Sequence, residues 1–166
     1  MSSGALGPAE LLNGLAPEAA ERELLRCCGS TRWARRMTAA RLFASDGALL
    51  ATADKTWWEL DPGDWLEAFA AHPRIGERRG GDWSAEEQSG MDEASKRLAA
   101  EIRDGNRTYE EKFGHVFLVC ATGLSAAEMA GALVRRLDND PETELRTAAA
   151  EQAKITRLRL EKLTTT

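Results

Sequence analysis

A chain of 166 residues, 43% of them hydrophobic and 30% charged, can bury one core of its own. Its net charge of -5 and pI near 5.2 give no field for gathering nucleic acid or an anionic membrane, and no segment approaches the ~20 apolar residues of a membrane span. The opening MSSGALGPAELLNGL lacks the basic start and long apolar stretch of a secretory signal, and three cysteines, two of them neighbours, make a poor disulfide framework; a cytoplasmic protein with free thiols is expected.

Residues 1–15 read as a loosely ordered start. Pro17 then marks a helix whose Ala20, Leu24 and Cys27/Cys28 form an apolar stripe ending at Gly29. Ser30 or Thr31 caps a second, with Trp33, Met37 and Ala40/Arg41 on one side, and Ser45 opens a third with Leu49, Ala53 and Trp57 inward, running to about Leu60. Asp61-Pro62 starts a helix in which Trp65, Phe69 and His72 share a face, and Pro73 ends it by disfavouring helical geometry at His72. Ser84 opens a long helix, with Glu87 in the capping-box position and Trp83 placed to staple, that reaches Arg103 or Asp104 before Gly105-Asn106 breaks or kinks it. A further turn covers Thr108 to Phe113. Val116 to Ala121 has β-branched and aromatic weight but no second run to pair with, so it is an extended connector. Ser125 with Glu128 caps a helix to about Leu137, and Asp140-Pro141 starts a last one to about Leu163. The pattern predicts an all-α, single-domain bundle of about seven to nine helices.

Three polar side chains interrupt apolar faces. His72 lies beside aromatic packing at the mouth of a loop, a place a substrate can reach; the bland alternative is a satisfied helix-end histidine. Glu87 falls in line with Met91, Ala94, Leu98 and Ile102, whereas Glu86 points away; the capping box alone also accounts for it. Arg159 shares a face with Leu145, Ala148, Ile155 and Leu163, so it should be buried or half-buried against an anionic partner, unless it snorkels to water past the last turn. Together they make a site-like set of acid/base, orienter and anion anchor. Arg74, Arg78 and Arg79 are further basic positions suited to an anionic small molecule.

His72-Pro73-Arg74-Ile75-Gly76, then Ser84-Ala85-Glu86-Glu87-Gln88-Ser89-Gly90, then Tyr109-Glu110-Glu111-Lys112-Phe113-Gly114 running into Phe117-Leu118-Val119-Cys120-Ala121, and Leu158-Arg159-Leu160 follow one another in an order that resembles the OHCU decarboxylase family. That family acts on 2-oxo-4-hydroxy-4-carboxy-5-ureidoimidazoline (OHCU) in urate breakdown and yields (S)-allantoin. The resemblance implies an all-α homodimer working on this small molecule without cofactor or metal, and with no nucleic-acid or membrane partner. It makes His72 the catalytic acid/base, Glu87 its partner and Arg159 a substrate anchor. It also makes Pro73, Ser84, Ala85, Glu86, Gln88 and the backbone of Phe117, Leu118, Val119, Cys120 and Ala121 the substrate-binding walls. Two departures stand out: the loop from Gly76 to Ser84 is short for the family, and His115 stands where an aromatic residue is common. His115 is expected to pack beside the pocket.

Two other readings stand beside this one. A metal-dependent lyase or hydrolase would use His72, His115, Glu87 and Cys120, although their spacing matches no compact metal motif. A helical binding module would pair Glu87 with Arg159 as a buried ion pair and need no chemistry.

Overall fold

The computed structural model describes residues 6–74 and 93–163. Among them the chain forms eight helices and no strand: α1 (Pro8–Gly14), α2 (Pro17–Cys27), α3 (Thr31–Ala40), α4 (Asp46–Trp58), α5 (Pro62–Ala70), α6 (Glu93–Phe113), α7 (Ala126–Leu137) and α8 (Pro141–Glu161). No helix among these residues is long and apolar enough to cross a membrane. They divide into two compact units, one of residues up to Ala68 and from Gln152 onward, the other of residues from Phe69 to Glu151.

In the first unit the helix starts follow the caps read from sequence. Ser30 Oγ accepts from the Trp33 N–H at 3.2 Å and Ser45 Oγ from the Ala48 N–H at 3.0 Å, each satisfying an amide that the first turn leaves without an intrahelical partner. Leu24, Trp33, Met37, Leu49 and Trp57 are buried as the helical spacing requires. Two of the buried indoles bond their N–H groups to carbonyls, Trp33 to that of Ala53 and Trp65 to that of Trp57.

The stretch expected to be loose carries α1, with Ala9 and Leu12 buried. Its N-cap is Gly7, which offers no side-chain bond, so distant residues do the capping. The Asp46 carboxylate accepts from the Ala9 N–H, Asn13 exchanges two 2.9 Å bonds with the Phe43 backbone, and Arg41 Nη1 donates to the carbonyls of Leu12 and Leu15. These partners lie about thirty positions away, beyond the reach of any local pattern.

In the second unit α6 runs unbroken through Gly105-Asn106, where a break or a kink was expected, so the break does not occur. A Cβ added at Gly105 would lie 2.5 Å from Leu133 Cδ2 on α7, so the glycine allows the two helices to approach, and packing outweighs its low helix propensity. Tyr109, Phe117, Val119 and Leu133 form the core here. The capping box at α7 is complete: Ser125 Oγ accepts from the Glu128 N–H, and Glu128 accepts from the Ser125 N–H. Those bonds hold the Glu128 carboxyl below its usual range, as the Thr143 N–H does for Asp140 at the start of α8; both contributions are present at neutral pH and fade on acidification through the lowered values.

The buried line of α8 is Glu144, Ala148, Ala149, Gln152, Thr156 and Leu160. It corrects the expected stripe, since Leu145 and Ile155 are only half-buried and Arg159 is exposed. Half of the residues on this line are polar, so ranking by hydrophobicity misplaces the inward face.

Two measurements follow. Overpacking against buried Leu133 costs about 1–3 kcal/mol and the helix-propensity gain of alanine over glycine returns ~1 kcal/mol, so Gly105→Ala is expected to lower the thermal midpoint. A raised midpoint would remove the close-approach argument. Burial pushes the thiol of Cys27 up to about 12 and that of Cys28 up to about 11, so a thiol reagent at pH 8 should leave both unmodified in folded protein and react with all three cysteines only after denaturation.

Candidate active site

His72 follows the end of α5 by two residues. Its N–H donates to the Phe69 carbonyl at 3.1 Å, closing a last turn, and Pro73 then lets the chain leave the helix. The imidazole is half-buried while Pro73 and Arg74 are exposed, which matches the expected place at a helix end. Phe69, one turn earlier, is fully buried and packs its ring 5.2 Å from that of His115. Tyr109 and Phe113 also face the His115 ring, and His115 Nδ1 lies 3.1 Å from the Val116 carbonyl. His115 thus packs in a cluster of aromatic rings.

Arg74, one of the basic positions singled out above, is paired within the protein. Its Nε and Nη2 reach the two oxygens of Glu110 on α6 at 2.7 and 3.1 Å, a two-pronged ion pair.

The connector from Val116 to Ala121 is irregular, as expected, with Phe117, Leu118 and Val119 buried, Cys120 half-buried and Ala121 exposed. Two side chains fix its backbone. Arg136 Nη1 donates to the Leu118 carbonyl at 2.6 Å, and Glu151 accepts from the Cys120 N–H at 2.9 Å. Arg136 is itself held by fully buried Glu144, which accepts from Arg136 Nε at 2.8 Å, from the Tyr109 hydroxyl and from Asn139 Nδ2. The guanidinium also stacks 4.7 Å over the Phe117 ring. Burial first, then the bond to Glu144, keeps the Tyr109 phenol protonated well above its usual range, so it remains a donor at any physiological pH.

Arg159, expected to be buried or half-buried, is exposed. Its Nη1 lies 3.4 Å from the carbonyls of Arg26 and Cys27 at the C-terminus of α2, where a cation suits the helix dipole. Proximity to water removes the need for an anionic partner in the protein, as the alternative of a side chain reaching past the last turn to water allowed.

Ser84, Ala85, Glu86, Glu87 and Gln88 lie outside the described residues, as does the start of the helix assigned to Ser84. Of the three polar groups singled out, His72 therefore belongs to one unit with the Phe117–Ala121 connector, and Arg159 to the other. Among the described residues no group of three His, Cys, Asp or Glu side chains is placed to hold a metal ion. Sequence reasoning passed over Glu110, Arg136, Glu144 and Glu151. Glu144 carries a signal in hindsight: it stands four and eight residues before Ala148 and Gln152 on one helical line.

Comparison with known proteins covers nearly the whole chain. Residues 13–161 match the family model described as OHCU decarboxylase. The uric acid degradation bifunctional protein TTL of Arabidopsis thaliana is 37% identical over 157 residues, 90% of this chain; the chain spans 48% of that relative's length. The 2-oxo-4-hydroxy-4-carboxy-5-ureidoimidazoline decarboxylase of Haloferax volcanii is 32% identical over 130 residues, 76% of this chain and 77% of that protein. Among solved structures, a crystal structure of OHCU decarboxylase in the presence of (S)-allantoin superposes with a TM-score of 0.71 at 39% identity, covering 84% of this chain and 95% of that one. By the match over residues 13–161, and by its likeness to these relatives, the chain belongs to the OHCU decarboxylase family.

Proposed function

We propose that the chain decarboxylates OHCU to (S)-allantoin in urate breakdown, as a carboxy-lyase that needs no cofactor. The observation that carries this reading is family membership across residues 13–161, together with a half-buried His72 at the end of α5. The chain acts as one decarboxylase domain in this proposal, as a cytoplasmic homodimer. Its three free thiols suit a reducing compartment, and the dimer rests on the family resemblance.

The substrate can supply its own electron sink. When the bond to the carboxylate breaks, CO₂ leaves and the electron pair passes from the ring carbon into the adjacent C=N, whose nitrogen takes up a proton from solvent, giving an enol-like intermediate that bears the former hydroxyl. The hydroxyl then gives up its proton as its C–O becomes a carbonyl, and the neighbouring ring carbon gains a proton. The protein must control those two protons. In this proposal His72 takes the first, and Glu87 orients the imidazole and stabilises its charged form. Arg159 holds a carboxylate or ureido oxygen; its exposed guanidinium carries five N–H donors, of which only Nη1 lies on the α2 carbonyls. Pro73, the Ser84 to Gln88 stretch and the backbone of Phe117 to Ala121 form the walls that set which face of the intermediate is protonated. Anchoring of Leu118 and Cys120 by Arg136 and Glu151 suits the connector for that task, because a wall must hold its shape to impose a hand.

A positioned acid/base is worth ~10² to 10⁴ in rate, so His72→Ala should lose kcat on that scale while keeping the helical circular dichroism of the parent. Turnover of freshly generated OHCU at the parental rate would remove His72 from the chemistry. Arg159→Gln should instead act mainly on KM, raising it by roughly 10-fold for one lost charge-assisted contact. An unchanged KM would take Arg159 out of substrate binding.

A further inference from the structure

We propose that the Arg74–Glu110 ion pair is a clasp that positions His72 for the reaction, an inference that rests on His72 being the acid/base. His72 stands between two tethers within the same compact unit. Upstream, buried Phe69 fixes the last turn of α5 through its carbonyl bond to the His72 N–H. Downstream, the chain has left the helix, Pro73 contributes no N–H, and the Arg74 side chain is fixed on Glu110.

The geometry makes this tether effective. Arg74 stands two positions after His72, a span of at most about 7 Å, and the single proline between them stiffens the link by fixing its own φ. Both guanidinium prongs engage both carboxylate oxygens, so the pair sets orientation as well as distance. The carboxylate sits on a firm base, since Glu110 follows Tyr109, which is fully buried and bonded to Glu144. A chain of contacts therefore runs from the buried Tyr109–Glu144 bond, through α6 and the ion pair, to the backbone two residues beyond the imidazole.

The pair is poorly placed to serve stability. The Arg74 side chain is 52% exposed and that of Glu110 24%, and exposed pairs of this kind contribute little to folding. Arg74 and Glu110 are positioning residues, with no contact to the reacting atoms required of either.

The test is a double-mutant cycle with Arg74→Gln, Glu110→Gln and their combination, reading kcat and KM on OHCU, with His72→Ala alongside. Each single change is expected to lower kcat ~10-fold or more, with KM within about 2-fold, because a displacement near 1 Å at a catalytic group costs on that order or more. The combination should be no worse than the poorer single variant, because either change already opens the clasp. The thermal midpoint should stay within a few degrees of the parent. A kcat within about 2-fold of the parent for either single variant, losses that multiply in the combination, or an effect confined to KM would each overturn the clasp. Should a glutamine variant fail to fold, Arg74→Lys keeps the charge but removes the fork, and the same kcat criterion decides. Parental activity in His72→Ala would sink the underlying role of His72. Loss of activity in His72→Ala with undiminished kcat in the clasp variants would sink the clasp alone.

Discussion

The buried ion pair between Arg136 and Glu144 is the contact on which the second unit depends. Glu144 is fully buried and Arg136 nearly so, and a charge in such a place is tolerated only when paired and fully hydrogen-bonded. The carboxylate receives Arg136, Tyr109 and Asn139, and the remaining arginine prong goes to the Leu118 carbonyl. One interaction thereby ties α6, α7, α8 and the connector. Deleting either charge would strand the other at a cost of about 3–5 kcal/mol, while an apolar pair of similar volume would lose the directional bond to Leu118. That bond explains why a polar network occupies a position hydrophobic packing could fill: it holds an irregular backbone segment that lacks strand partners of its own.

The first unit solves a related problem by local means. Serines cap α3 and α4, prolines occupy the first turns of α1 and α2, and the Trp33 and Trp65 indoles pack with their N–H groups bonded to carbonyls. Arg159 belongs to this pattern as well, with its charge at the carbonyl end of α2. An arginine there is compatible with both a structural contact and a ligand contact, since a guanidinium has more donors than the two carbonyls accept.

Local chemistry was legible in the sequence and long-range chemistry was not. Ser30, Ser45, Ser125 with Glu128, Pro62 and Pro73 announced helix boundaries because a cap or a missing N–H acts within a few residues. His72 was legible for the same reason: proline after it and aromatic residues three and seven positions before it fix where the imidazole can stand. Gly105 was misread because the sequence shows its low helix propensity but not Leu133 beside it. Arg159 was misread because the buried line of α8 runs through Glu144, which takes Arg136 of α7, and through Gln152 and Thr156, which bond to each other, so polar groups are acceptable inside. The family words carried information that periodicity lacked, and three of them, around His72, Tyr109 and Phe117, mark segments tied together by Arg74, Glu110 and Arg136.

In the proposed reaction a protein-held proton acceptor at the end of α5 controls both the rate and the handedness of a step the substrate can also undergo alone. The most direct measurement is the circular dichroism of allantoin formed when OHCU is generated in the presence of the parental chain. The account predicts a signal of one hand, (S)-allantoin, appearing faster than spontaneous decay. Racemic product formed at the spontaneous rate would contradict it.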